Sequence, residues 1–220
     1  MYILYHKTHF FYHFEINITK VYIKYKNHFF KNKEEELKPG ERGKYMPEIK
    51  LPIDEKFTIN FKANGGKFLY CEDLDEIFQS LENIIQENHW EDKKALFIDS
   101  NLKDKFKNAG LTTTNKISDS TFFITTCENL IANDGSLLIS SLQIAEKKLT
   151  ELPANFVVFA TTSQMVETIG EGLRGIKTKN RQRIPTNITT IKHFKSSDEK
   201  DFLSYGSSSK NLYLLLLEDL

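Results

Sequence analysis

The sequence predicts an α/β fold, a three-layer α/β/α sandwich with a mainly parallel central sheet. Three observations carry this. Apolar runs such as FVVFATT (156–162) and ALFID (95–99) hold few polar residues, as strands buried on both faces do. Segments such as LDEIFQSLENIIQEN (74–88) repeat apolar residues at helical spacing. The two kinds alternate along the chain, the order that builds parallel strands joined by helical crossovers.

Residues 1–31 are rich in aromatics and interrupted by Lys7, Glu15 and Lys20, and residues 31–52 are charged with Pro39-Gly40 inside. Residues 1–56 therefore read as an N-terminal extension and linker, with the domain at 57–220. FTINFKANGG offers short alternation ending in Gly65-Gly66, and KFLYC suits a strand. Asp73 stands where an N-cap belongs, with Glu76 as its capping-box partner. Leu74, Ile77, Phe78, Leu81, Ile84 and Ile85 form the apolar stripe of the helix that follows. A short helix over 101–108 ends at Gly110. TFFITT (121–126), SLLIS (136–140), NITTIKHF (187–194) and NLYLLLLED (211–219) are further strands. SQMVETIGEGLRGI reads as one helix capped by Ser163.

The chain has 220 residues, 40% hydrophobic and 27% charged, an ordinary globular balance. Thirty basic residues cancel thirty acidic ones. A nucleic-acid ligand wants a basic field, so none is expected. No stretch is long and apolar enough for a membrane-spanning helix. No small-residue cleavage site follows a clean apolar segment, so a secretory signal is not expected. Cys71 and Cys127 are the two cysteines and belong to no CxxC pattern. An iron–sulfur cluster usually needs four thiolates, so none is expected on this chain. His6, His9 and His13 have no carboxylate cluster nearby, and no metal site is expected.

Three polar segments are candidates for chemistry. Asn133-Asp134-Gly135-Ser136 is either a hairpin turn or a loop of N–H groups and hydroxyls facing a ligand. Gly170-Glu171-Gly172-Leu173-Arg174-Gly175 has glycine spacing of the dinucleotide kind, but follows a predicted helix rather than a strand. A closely packed helix end suits it better, with Arg174 still available to an anion. Gly206-Ser207-Ser208-Ser209-Lys210 offers hydroxyls and an ammonium group to a carboxylate or phosphate, or is a solvated loop. Lys177, Lys179, Arg181 and Arg183 form a basic run, usually a wet loop. The sequence holds no nucleophile elbow, P-loop lysine or HExxH.

TFFITTCENLIANDGSLLISS, LPANFVVFATTSQMVETI and YGSSSKNLYLLLLED together resemble the LUD domain family, the lactate-utilisation proteins B and C, and most of all the stand-alone C type. The family's A-x-T-G-S/T-L entry corresponds to Ala132-Asn133-Asp134-Gly135-Ser136-Leu137. Its LP-x-x-H-I-x-V strand corresponds to Leu152–Val158, and its last strand to Leu212–Glu218. Two loops depart from the pattern. Ile184–Ile191 lacks the family's arginine and aspartate, and Gly206–Lys210 lacks its histidine.

The resemblance implies a fold like that of glucosamine-6-phosphate deaminase, ribose-5-phosphate isomerase and the CoA transferases. It implies a subunit or accessory factor in oxidising L-lactate to pyruvate, in the cytoplasm, with iron–sulfur clusters held by partner proteins. A small carboxylate or phosphate ligand would then lie over 133–136 and 206–210, expected together on the carboxyl rim of the sheet. The rival is an isomerase- or CoA-transferase-like enzyme on a small phosphorylated or carboxylate substrate. Glu128, Asp134 and Glu171 are its candidate acids, bases or nucleophiles. A third reading is an interaction module that docks through the aromatics of the N-terminal arm.

Overall fold

The structure, a computed structural model, describes residues 51–181, 184–194 and 210–219. Helix α1 (Ile53–Ala63) comes first, then β1 (Lys67–Cys71) and α2 (Leu74–Glu87). Strand β2 (Ala95–Leu96), α3 (Ser100–Lys105), β3 (Thr113–Thr114) and β4 (Phe122–Thr126) follow. Next come β5 (Asn129–Ile131), β6 (Ser136–Ser140), β7 (Asn155–Thr161) and β8 (Met165–Val166). Helix α4 (Ile169–Lys179), β9 (Ile188–Ile191) and β10 (Asn211–Leu217) close the chain.

The central sheet has six strands in the order β1-β10-β7-β4-β2-β3, and every pairing in it is parallel. This is the mixed α/β sandwich with a parallel central sheet that the alternating pattern predicts. One face carries Phe122 and Ile124 of β4, Val157 and Phe159 of β7 and Tyr213 and Leu215 of β10. They pack with Ile77, Leu81 and Ile84 of α2, Leu102 of α3 and Phe106 just after it. Trp90 stacks on Phe122, with ring centroids 4.6 Å apart. Residues of opposite parity, among them Phe123, Phe156, Val158, Leu212 and Leu214, are buried as well, so both faces of the sheet are covered.

Helix α2 forms as its local chemistry dictates. The Asp73 carboxylate accepts from the Glu76 amide at 2.8 Å, and Glu76 reaches back to the Glu72 amide at 2.9 Å. The α3 segment likewise runs into a 3-10 turn that stops at Gly110.

Four expectations need correction. FTINF is helical rather than a strand, and α1 starts at Ile53, before the expected domain start at Phe57. Its buried residues Phe57 and Phe61 are one helical turn apart, whereas Ile59, which alternation would bury with them, is 51% exposed. ALFID contributes only Ala95 and Leu96 to the sheet, because Asp99 turns away to cap α3, accepting from the Asn101 amide. SQMVETIGEGLRGI is not one helix. Thr161 and Gln164 cap a 3-10 turn at 162–164, β8 follows, and Thr168 caps α4 by accepting from the Glu171 amide. Finally, SLLIS and NITTI do not join the central sheet. They belong to a second, four-stranded sheet in the order β8-β5-β6-β9. Strands β5 and β6 are antiparallel neighbours because only residues 132–135 connect them, and a parallel crossover needs a dozen or more.

Candidate functional site

In a parallel sheet all carboxyl ends lie on one rim, and ligands of open α/β sheets sit there, where neighbouring strands send their connections opposite ways. Here that switch point lies between β2 and β4. From β2 the chain passes through α3 outward to β3; from β4 it passes through the second sheet to β7 on the other side.

The rim beyond β4 is polar and internally ordered. Glu128 is half-buried, and its Oε1 accepts from the Ser140 hydroxyl at 2.7 Å. The Ser140 amide donates to Gln143 Oε1 at 2.9 Å, and Gln143 Nε2 donates to the Thr126 hydroxyl at 3.2 Å. A chain of hydrogen bonds thus runs from Thr126 to Glu128 by way of the end of β6. Gln164 ties the same turn to β7, donating to Cys127 O at 2.6 Å. Cys127 itself is buried. Burial, then the negative charge of Glu128, push its thiol pKa well above the usual range.

Beyond β10 and β7 the rim continues. Asp219 accepts from the Ser163 amide at 2.8 Å, the Ser163 hydroxyl at 2.7 Å and the Thr162 hydroxyl at 3.0 Å. Burial works against its ionisation, but bonds from Ser163, Thr161 and Thr162 outweigh it and hold the carboxyl below its usual value. Tyr70, on β1, donates to Glu218.

The residues singled out from sequence are placed as follows. Asn133, Asp134, Gly135 and Ser136 form the β5–β6 hairpin turn and enter β6. Asp134 folds back to accept from the Ser136 amide at 3.2 Å and hydroxyl at 2.6 Å. Helix α1 covers the turn. Asn60 Nδ2 donates to Ala132 O, Asn64 Nδ2 donates to Asp134 O at 2.6 Å, and Lys56 bridges Asn133 and Glu167. Much of the turn's hydrogen bonding is thus directed within the protein, while the Asn133 side chain stays exposed.

The glycine motif lies within α4 and follows the short strand β8, not a helix. Gly172 is there for contact: a Cβ on it would stand 2.8 Å from Leu138 Cδ1. Glu171 accepts from the Glu167 amide at 3.0 Å, and Glu171 and Arg174 are exposed.

Gly206, Ser207, Ser208 and Ser209 lie outside the described residues, as do Arg183 and the histidines at 6, 9 and 13. Lys210 is described, and it corrects the expected position. It immediately precedes β10, so it lies on the amino rim, opposite the carboxyl ends. It is 4% exposed, and its Nζ donates to Leu152 O and Pro153 O at 3.1 and 3.0 Å. Burial lowers its pKa to about 8. Lys210 and Asp134 are linked through one segment: Lys192 Nζ stands 3.9 Å from Asp134, and His193 O accepts from the Lys210 amide.

Thr126, Gln143, Gln164 and Asp219 were missed from sequence. The signal was available, since each polar cluster begins where an apolar strand run stops. A groove of about 770 Å³ also lies along α2, lined by Asp75, Glu82 and Glu91 among others. Its acidic walls disfavour an anionic ligand. Among the described residues no group of three or more His, Cys, Asp or Glu side chains could hold a metal, and no helix is long and apolar enough to cross a membrane.

A family model described as "LUD domain" matches residues 55–217. No curated protein matches the chain. A crystal structure of a duf162 family protein from Deinococcus radiodurans is similar in fold, with a TM-score of 0.50 and 12% identity over 76% of this chain and 96% of that one.

Proposed function

We propose that this chain, which belongs to the LUD domain family, a family associated with lactate utilisation, serves as a subunit or accessory factor in the oxidation of L-lactate to pyruvate. The stand-alone lactate-utilisation protein C type is the branch it fits best, acting in the cytoplasm. The family match over residues 55–217 carries this reading.

The chain's own donor set bears on the redox part. It has two cysteines, both buried, and an iron–sulfur cluster usually takes four thiolates. These residues do not fit a cluster, so no electron-transfer step is placed on this chain. In this reading the clusters belong to partner proteins, and this chain binds or presents a small carboxylate.

The test is reconstitution. Iron–sulfur lactate-oxidation proteins from the same genome are assayed for L-lactate-dependent reduction of an artificial electron acceptor, with and without this chain. Dependence of the rate on the chain is expected. An equal rate without it overturns the proposal.

One observation favours a second reading, an isomerase- or CoA-transferase-like enzyme. The Glu128 carboxylate stands at the carboxyl rim with Oε1 fixed by Ser140, which suits an acid, base or nucleophile. Turnover of a CoA ester or sugar phosphate by the isolated chain, lost in Glu128→Gln, would select it.

A further inference from the structure

We infer that the switch point between β2 and β4 is a binding site for a small 2-hydroxy acid, with Lys105 taking the carboxylate and Glu128 accepting the hydroxyl proton.

The two strands deliver opposite kinds of group to one place. Lys105 ends α3, the helix that follows β2, and its Nζ stands 4.7 Å from the centroid of the Phe159 ring. Phe159 is the register partner of Thr126 across the β4–β7 pairing. Thr126 shares the parity of Phe122 and Ile124, so its side chain lies on the same face as Phe159. Lys105, Phe159 and Thr126 therefore share one end and one face of the sheet. Lys105 has no carboxylate partner among the described residues. Lys105 is exposed, and the Phe159 ring beneath it packs edge-on against buried Phe106, which in turn meets Phe97, so one side of the ammonium group faces an apolar wall.

Thr126 accepts from Gln143, so its own hydroxyl proton remains to donate to a ligand carboxylate. On the other side, Glu128 Oε1 is held by Ser140, while Oε2 has no protein partner among the described residues. An ionised carboxylate is an acceptor only, and it wants a ligand O–H rather than a second anion. A cation and a hydroxyl donor on one wall, with an acceptor oxygen next along the rim, match the carboxylate and 2-hydroxyl of a 2-hydroxy acid. This choice of ligand rests on the lactate reading; the location rests on the topology alone.

The experiment is calorimetric titration of the full chain with L-lactate and, separately, pyruvate, which has no hydroxyl to donate. Saturable binding of L-lactate is expected. Lys105→Gln should weaken both ligands about tenfold, the order of loss for one charge-assisted contact. Glu128→Gln should weaken L-lactate by a similar factor and leave pyruvate unchanged or tighter. Lys103→Gln, the same charge change two positions away on the exposed helix, should change neither. Lys105→Arg should retain binding, which separates lost charge from lost fold, and ligand-free unfolding midpoints check the remaining variants. Absence of saturable L-lactate binding, or equal affinities in Lys105→Gln, Glu128→Gln and the parent, overturns the inference. Failure here with a chain-dependent rate in reconstitution removes this site and leaves the lactate role. Binding here without that rate does the reverse.

Discussion

Gly135 lies against the backbone of Asn60: a Cβ on it would stand 2.3 Å from the Asn60 carbonyl carbon and 2.3 Å from the Phe61 nitrogen. Its φ of +66° is left-handed as well. Both facts follow from α1 closing over the hairpin turn. Gly135→Ala should therefore destabilise the protein by roughly 2–4 kcal/mol, adding backbone strain to a clash that no side chain can relieve. Denaturant unfolding measures this. A change within experimental error would mean that α1 does not pack on the turn.

Lys210 should show itself in the pH dependence of stability. Its folded pKa of about 8 lies below the ordinary 10.5 because burial disfavours the charged form. Between those values the unfolded chain holds more protons than the folded one at this site. Stability therefore rises with pH across the window, and below about 8 the full cost of the buried charge is present. In Lys210→Met, Leu152 O and Pro153 O lose their donor while the cost of the buried charge is relieved, so the two effects oppose each other near neutral pH. The variant should lack the rise between pH 8 and 10. Chemical unfolding of both proteins at several pH values gives the comparison.

Local chemistry was readable from sequence, and long-range placement was not. Asp73 and Glu76 announced α2 because an N-cap and its partner act within one turn. The apolar runs of β4, β7 and β10 announced a buried parallel sheet because both their faces are covered. FTINF was misread because five residues with apolar ends and centre fit either period, and only the 51% exposure of Ile59 decides. The Asn133–Ser136 turn was legible as a hairpin, yet nothing local to it says that β5 and β6 leave the central sheet. The rim eluded the sequence for the same reason. Lys105, Thr126 with Glu128, and Gln143 come from three separate segments, and only the strand order brings their positions together.

Asp219 should act as an acid-sensitive clasp on β10. Its hydrogen bonds to Ser163 and Thr162 hold its pKa below 3.8. The stability it contributes is present above that value and fades as pH falls through the lower folded one. Because the carboxylate is largely exposed, Asp219→Ala should cost under about 1 kcal/mol at neutral pH. Faster amide exchange confined to the end of β10 and to 161–163 is the expected signature.

The two thiols should be silent in the folded protein. Cys71 and Cys127 are buried, and burial together with the charge of Glu128 disfavours the Cys127 thiolate. An aromatic disulfide reagent near pH 8 should titrate both cysteines only after denaturation. Rapid reaction in the native state would contradict the burial.

The location of the ligand is tested most directly by amide NMR on the isotope-labelled full chain titrated with L-lactate. Saturable shifts should cluster at 97–105, 126–128, 140–143 and 159–164, the segments that border the carboxyl rim around β2 and β4. Shifts centred on 133–136 and 210, or none at any concentration, would contradict a site at the switch point.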